Sequence, residues 1–186
     1  MTDLGYYNAP TFIDLDGDGD LDILAGEQSG DFKYFENTGS AMSPAFAAVQ
    51  NNPAGLAAAP ARSVPAFTDV DNDGEMDMFS GQSNGDFLFF ENTGSQMTPA
   101  FSAAVSNPFG LSDVGSDSAP AFVDLDGDSD IDMLSGNNTG NFLFFENTGS
   151  SAAASFSTAQ SNPFMLTDID AWSTPAFADF DADGDQ

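Results

Sequence analysis

One acidic signature recurs at a fixed interval and constrains this 186-residue chain more than any other feature. It reads DLDGDGDLD from Asp14 to Asp22, DVDNDGEMD from Asp69 to Asp77 and DLDGDSDID from Asp124 to Asp132. A fourth copy, DFDADGD, runs from Asp179 to Asp185. Successive copies start 55 residues apart, so the chain is a tandem repeat before any local structure is considered. Other marks keep the same spacing. Glu36-Asn-Thr-Gly-Ser40 returns at Glu91 and Glu146, Asn52-Pro53 at Asn107 and Asn162, and Phe46 at Phe101 and Phe156. The repeats divide the chain into residues 1–55, 56–110 and 111–165, with 166–186 repeating the register of the first 21 residues.

Within a unit the pattern is that of β-structure. Pro120 precedes a short apolar strand at Ala121–Val123, and a second strand at Ile131–Ser135 follows the acidic loop and closes on Gly136. A Gly/Asn turn at Asn137–Asn141 leads to Phe142–Glu146, matched by Phe32–Glu36 and Phe87–Glu91. A fourth strand is expected near Ser155–Ala159, and Asn162–Ser173 reads as a surface loop or a single helical turn. Four short strands per repeat of this length is the form of a propeller blade. The expected fold is therefore all-β: three full blades and the first strand of a fourth, incomplete as a closed ring on its own.

Charge and missing residue types exclude several functions. Thirty acidic residues oppose only Lys33 and Arg62, a net charge of −28, so the chain has no basic patch to neutralise phosphate; no nucleic-acid partner is expected. No apolar run approaches membrane-spanning length, and insertion into a membrane is not expected. The chain has no Cys and no His, which removes thiolate metal sites and the commonest general base. No enzymatic activity is expected.

The acidic loops point instead to a hard cation. Carboxylates at alternate positions of a tight loop repel one another unless a cation sits among them. Calcium accepts 6–8 oxygens in flexible geometry, which suits such loops better than magnesium. Candidate ligands in the first loop are the side chains of Asp14, Asp16, Asp18 and Asp22 with the carbonyl of Asp20. The second loop offers Asp69, Asp71, Asp73 and Asp77 with Glu75 at the carbonyl position; the third offers Asp124, Asp126, Asp128 and Asp132 with Asp130. Three calcium ions are expected, one per complete repeat. The fourth loop, with Asp179, Asp181 and Asp183, lacks its ninth position and is expected to be weak or empty. Gly19, Gly74 and Gly184 stand where the backbone turns sharply, and Ser129 replaces glycine in the third loop. An EF-hand is excluded, because its twelfth position is Ala25, Ser80 or Ser135 instead of a bidentate glutamate.

The run Ala-Phe-Val-Asp-Leu-Asp-Gly-Asp-Ser-Asp-Ile-Asp from Ala121 to Asp132, an apolar strand and Gly136 resemble the FG-GAP/VCBS repeat, the calcium-binding blade of integrin α-chain propellers and many bacterial surface proteins. The resemblance covers essentially the whole chain. It implies calcium in the hairpin loop between the first two strands of each blade, an extracellular or cell-surface location, and a structural or adhesive role. Self-association or continuation into further repeats is the expected partnership, including assembly into a filament. The alternative is a calcium-dependent carbohydrate-binding module recognising a polysaccharide or cell-surface ligand. Tyr7 and Trp172, equivalent positions three repeats apart, are its candidate sugar-stacking residues. Asn137 begins an Asn-Asn-Thr sequon in an expected turn, a candidate for N-glycosylation.

Overall fold

The computed structural model describes residues 4–178. The fourth acidic copy, with the candidate ligands Asp179, Asp181 and Asp183, lies outside the described residues. Among the described residues, twelve strands form three antiparallel four-stranded sheets, each a simple meander from one repeat. The first contains β1 (Ala9–Ile13), β2 (Asp22–Gly26), β3 (Phe32–Phe35) and β4 (Gln50–Asn51). The second contains β5 (Ser63–Thr68), β6 (Asp77–Gln82), β7 (Phe87–Phe90) and β8 (Val105–Ser106). The third contains β9 (Ala119–Val123), β10 (Asp132–Gly136), β11 (Phe142–Phe145) and β12 (Gln160–Ser161).

The fourth strand differs from its expected place. It is a two-residue pairing at Gln160–Ser161, while Phe156 within the expected span makes only an isolated bridge to Asn147. Hydrogen bonding explains the shift. Asn162 Oδ1 accepts the Phe142 N–H at 2.8 Å, as Asn52 does from Phe32 and Asn107 from Phe87, so the asparagine pins the outer strand just ahead of it. After this asparagine the first two repeats make a short 3₁₀ turn, Pro53–Gly55 and Pro108–Gly110. The turn docks onto the next blade, where Phe101 N–H donates to the Ala54 carbonyl and Phe156 N–H to the Phe109 carbonyl.

In the second blade β6 and β7 are buried at every residue because a neighbouring blade covers each face. In β7, Leu88 and Phe90 belong to a core shared with the first blade, whereas Phe87 and Phe89 belong to one shared with the third. The contact repeats with the sequence. Phe32 meets Phe90 edge to face at 5.8 Å, and 55 residues later Phe87 meets Phe145 at 5.9 Å. Burying each such ring contributes roughly 2–3 kcal/mol, which makes the blade interfaces the principal source of stability.

Backbone approach locks adjacent blades. Ser118 is buried and its hydroxyl donates to the Asp86 carbonyl at 2.7 Å while accepting the Gln82 N–H at 2.7 Å. Ser63 and Ser173 make the same pair of contacts on their preceding blades. At Gly81 a Cβ would stand 2.0 Å from the Ser118 carbonyl oxygen, and Gly26 and Gly136 face Ser63 and Ser173 in the same way. Glycine is required there by the next repeat. The innermost strands β1, β5 and β9, together with Thr174–Ala176 of the fourth repeat, line one cavity of about 630 Å³.

Candidate metal centre

Each of the three described acidic loops joins the first two strands of a blade and curls on its own carboxylates. In the first loop, Asp14 Oδ1 accepts the Gly17 N–H at 2.8 Å and Oδ2 the Gly19 N–H at 3.0 Å. Asp20 N–H donates to Asp18 Oδ1 at 2.9 Å. The third loop repeats this with Gly127, Ser129 and Asp130 as donors. Two positions in each loop are left-handed: Gly17 and Gly19, Asn72 and Gly74, Gly127 and Ser129. Ser129, at φ 77°, is the one residue with a branched-out side chain at the second of these.

Carboxylate oxygens of Asp14, Asp16 and Asp18 lie within 4.8 Å of one another, as do those of Asp69, Asp71 and Asp73. In the third loop the close group is Asp124, Asp126 and Asp132. Asp128 is thus outside the third group, and Asp22 and Asp77 are outside the first two. Asp20 and Asp130 contribute loop N–H groups. Glu75 donates its own N–H to Asp73 Oδ1, and its buried Oε2 has no hydrogen-bond partner among the described residues.

The ninth-position aspartates are buried. Asp22 accepts the Leu15 N–H and the Asn37 N–H, and Tyr34, whose place is taken by Phe89 and Phe144 in the other repeats, adds its hydroxyl at 2.8 Å. Asp132 accepts from Leu125 and Asn147. Asp77 accepts the Asn92 N–H on Oδ1, but its buried Oδ2 has no partner among the described residues. Burial pushes the Asp77 carboxyl up to about 6; the N–H groups of Asn92 and Val70 offset part of this and the charges of Asp71 and Asp73 add to it. Asp132 is raised for the same first reason, and Asp16 by burial and then by Asp22. Burial and the bond to Asp22 raise the Tyr34 hydroxyl as well.

These observations fit a hard divalent cation. The donors are all oxygen, they converge without a positive side chain, and the second loop leaves two buried carboxylate oxygens uncompensated. A cation there would offset both the mutual repulsion and the desolvation of Asp77.

Residues outside the loops support them. Asn37, Asn92 and Asn147 tie the ninth-position aspartate by their N–H groups, and their own Oδ1 atoms hold the following turn through Gly39, Gly94 and Gly149. Their signal was the recurring Glu-Asn-Thr-Gly string, legible as a repeat mark but not as a brace. Arg62 gave no signal at all.

Tyr7, Arg62, Asp117 and Trp172 are equivalent residues of successive repeats, and each has a left-handed backbone. They converge at one end of the cavity. Tyr7 and Trp172 stack at 6.1 Å and 26°, the Arg62 guanidinium lies 4.4 and 4.6 Å from the two ring centres, and Arg62 pairs with Asp117. Each ring stays about half exposed. Asn137 is 6% exposed, and its Nδ2 donates to the Val114 carbonyl at 3.0 Å. The amide nitrogen that a glycan needs is therefore engaged between blades in the folded chain.

No helix among the described residues is long and apolar enough to cross a membrane. No curated protein matches the chain. The family model described as the FG-GAP-like repeat matches residues 14–80 and again 69–135, each match running from one acidic loop through the next. The matches span more than half of the sequence, each blade carries its acidic loop at the same place, and the chain belongs to the FG-GAP-like repeat family.

Proposed function

We propose that this chain is a non-catalytic, calcium-stiffened extracellular scaffold with a structural or adhesive role. The observation that carries the reading is the second loop, where Asp69, Asp71 and Asp73 converge beside a buried Asp77 oxygen without a partner. Calcium would be held in the first two loops by the carboxylates of the first, third and fifth positions with the ninth behind them, and in the third loop by those of the first, third and ninth, neutralising the charge that otherwise drives β1 from β2, β5 from β6 and β9 from β10. The family's usual extracellular setting supplies the calcium that sites of modest affinity need. Association with further repeats is the partnership this scaffold is suited to.

Calorimetric titration of chelator-treated protein with calcium tests the reading. Three binding events are expected, with a gain of about 2.7 kcal/mol per independent site at a hundredfold excess over Kd. Asp71→Asn should remove one of them. An absence of heat, together with a melting temperature indifferent to calcium, would reject the function.

One observation favours a second reading, carbohydrate binding: Tyr7 and Trp172 form a half-exposed aromatic pair. A glycan array answers it. Binding in calcium that is lost in Trp172→Ala supports a lectin, and an empty array removes it.

A further inference from the structure

The two interfaces between blades follow one plan, but they differ where the outer hairpin of one blade lies beside the acidic loop of the blade before it. In the second repeat that hairpin reads Gln96-Met-Thr-Pro99, and the first repeat has Ala41-Met-Ser-Pro44 at the same place. The third repeat reads Ser151-Ala-Ala-Ala154. The backbone is unaltered by the change. Ser95 and Thr98 exchange N–H···O bonds of 3.1 and 3.0 Å, and Ser150 and Ala153 exchange the same pair at 3.2 and 2.9 Å. Only side-chain volume has gone. Met97 packs so closely on the first acidic loop that a Cβ on Gly17 would stand 3.0 Å from its Cα and Cγ. Ala152 offers no such chain to the second loop, and an apolar cavity of about 470 Å³ opens there between the second and third blades.

The facing wall has changed in the matching sense. Phe89, Val105 and Phe109 stand where the first blade has Tyr34, Gln50 and Ala54, so a hydroxyl and an amide are lost and two rings meet edge to face at 5.1 Å. Val105 is the more telling residue, since the third repeat also has a glutamine, Gln160, at this place. Gln50 Nε2 donates to Glu36 Oε2 at 3.5 Å, whereas a valine side chain has no hydrogen bond to offer the equivalent Glu91. Glu91 is exposed and lines the cavity together with Asp71. Both basic side chains of the protein are paired elsewhere, Lys33 with Glu27 and Asp31, and Arg62 with Asp117. The cavity is thus aromatic and aliphatic over most of its lining and negative at Asp71 and Glu91, and its volume suits a small organic molecule. An anion is repelled there, and a neutral apolar molecule leaves the Glu91 charge without a partner. A cation carried on an apolar body satisfies both, because aromatic rings attract an ammonium as well as packing against hydrocarbon.

We infer that the cleft between the second and third blades is a binding site for a small lipophilic ammonium ligand, anchored by Glu91 and enclosed by Phe89, Val105, Phe109 and the three alanines. The site goes beyond the calcium-scaffold reading and does not rest on it: calcium in the second loop would engage Asp71 and leave Glu91 for the ligand.

The probe is para-fluorophenethylammonium, titrated into the calcium-loaded full chain and followed by fluorine NMR, with para-fluorophenethyl alcohol as its uncharged counterpart. One ammonium ligand is expected per chain, and the alcohol should bind at least about fivefold more weakly. Glu91→Gln should weaken the ammonium about three- to fivefold, and Glu146→Gln, the equivalent change in the third repeat, should leave it unchanged. Ala152→Met and Val105→Gln each restore the residue that both other repeats carry, one on either wall, and should weaken binding at least about fivefold by filling the cavity or making it polar. An unchanged urea midpoint shows that these variants keep the fold. No binding at millimolar ammonium, equal affinity for the alcohol, or binding indifferent to both wall substitutions overturns the inference. Binding that survives them but is lost in Trp172→Ala places the amine on the aromatic pair at the central cavity, which also overturns it. Calcium heats recorded on the same sample report on the scaffold reading separately, so intact calcium binding without ammonium binding rejects only the inference.

Discussion

Alanine at Gly81 is the most searching single perturbation of this fold. Gly81 does not have a positive φ, so alanine meets no local backbone strain there. In an ordinary strand the change would stabilise by about 0.4–1 kcal/mol through the unfolded chain. Here the added Cβ would lie 2.0 Å from the Ser118 carbonyl oxygen, 2.6 Å from its carbon and 2.9 Å from Pro120 Cδ. Those atoms are the entry to β9, so relief means moving the third blade away from the second. Overpacking against atoms that cannot rotate away costs about 1–3 kcal/mol. Separation also weakens the two bonds of the Ser118 hydroxyl, worth about 1 kcal/mol each. The expected loss is roughly 3–4 kcal/mol, read as a lower urea midpoint for the calcium-loaded protein by circular dichroism. A loss below about 1 kcal/mol, or any gain, would refute the argument that glycine is held there by the next blade. Gly19→Ala is the contrasting control: no atom lies within 4 Å, and its cost of about 1–2 kcal/mol comes from φ +93° alone.

Further perturbations address the latch, the third loop, the axial cluster and the charge. Ser118→Ala should cost about 1–3 kcal/mol in the same urea titration, because it leaves the Gln82 N–H and Asp86 carbonyl short of a partner. Ser129→Gly relaxes a left-handed serine and should stabilise by about 0.5–1 kcal/mol; a destabilised variant would show that the hydroxyl itself is needed. Arg62→Met leaves Asp117 without its cation and the two rings without their guanidinium, so about 1–2 kcal/mol should be lost with a change in Trp172 fluorescence. In chelator, Asp77 has a folded value of about 6 above its ordinary 3.8, so the folded state binds the extra proton. The chelated chain should therefore lose stability as pH rises from about 4 to about 6, and Asp77→Asn should flatten that slope. A midpoint that climbs across this window would contradict the assignment.

Much of the fold was readable because a repeat reports each structural demand three times. The strand Phe142–Phe145, the hairpin that carries the acidic loop and the turn at Asn147 all stand where alternation, glycine and asparagine put them. The short outer strand was misplaced by several residues because only two of its residues pair, too few to leave a periodic pattern. In the loops, the carboxylate spacing pointed to the cluster. Spacing alone did not say that Asp132 joins the third group while Asp128 does not, since that depends on how each carboxylate is turned by the N–H groups around it.

By itself the sequence determined the 55-residue unit, the all-β blade and the acidic hairpin in each blade. These are local matters of spacing, side-chain alternation and like charges crowded into one turn. Only the tertiary structure decided what the units do to one another. It made Gly26, Gly81 and Gly136 contact points for the next repeat, and it gathered Tyr7, Arg62, Asp117 and Trp172 from four repeats onto one axis. It also left Phe46 and Leu166 exposed where their equivalents Phe101, Phe156, Leu56 and Leu111 are buried by a neighbouring blade. The physical reason is distance along the chain. A contact between residues 55 or 165 positions apart has no periodicity of its own to read, and it exists only once the blades are packed.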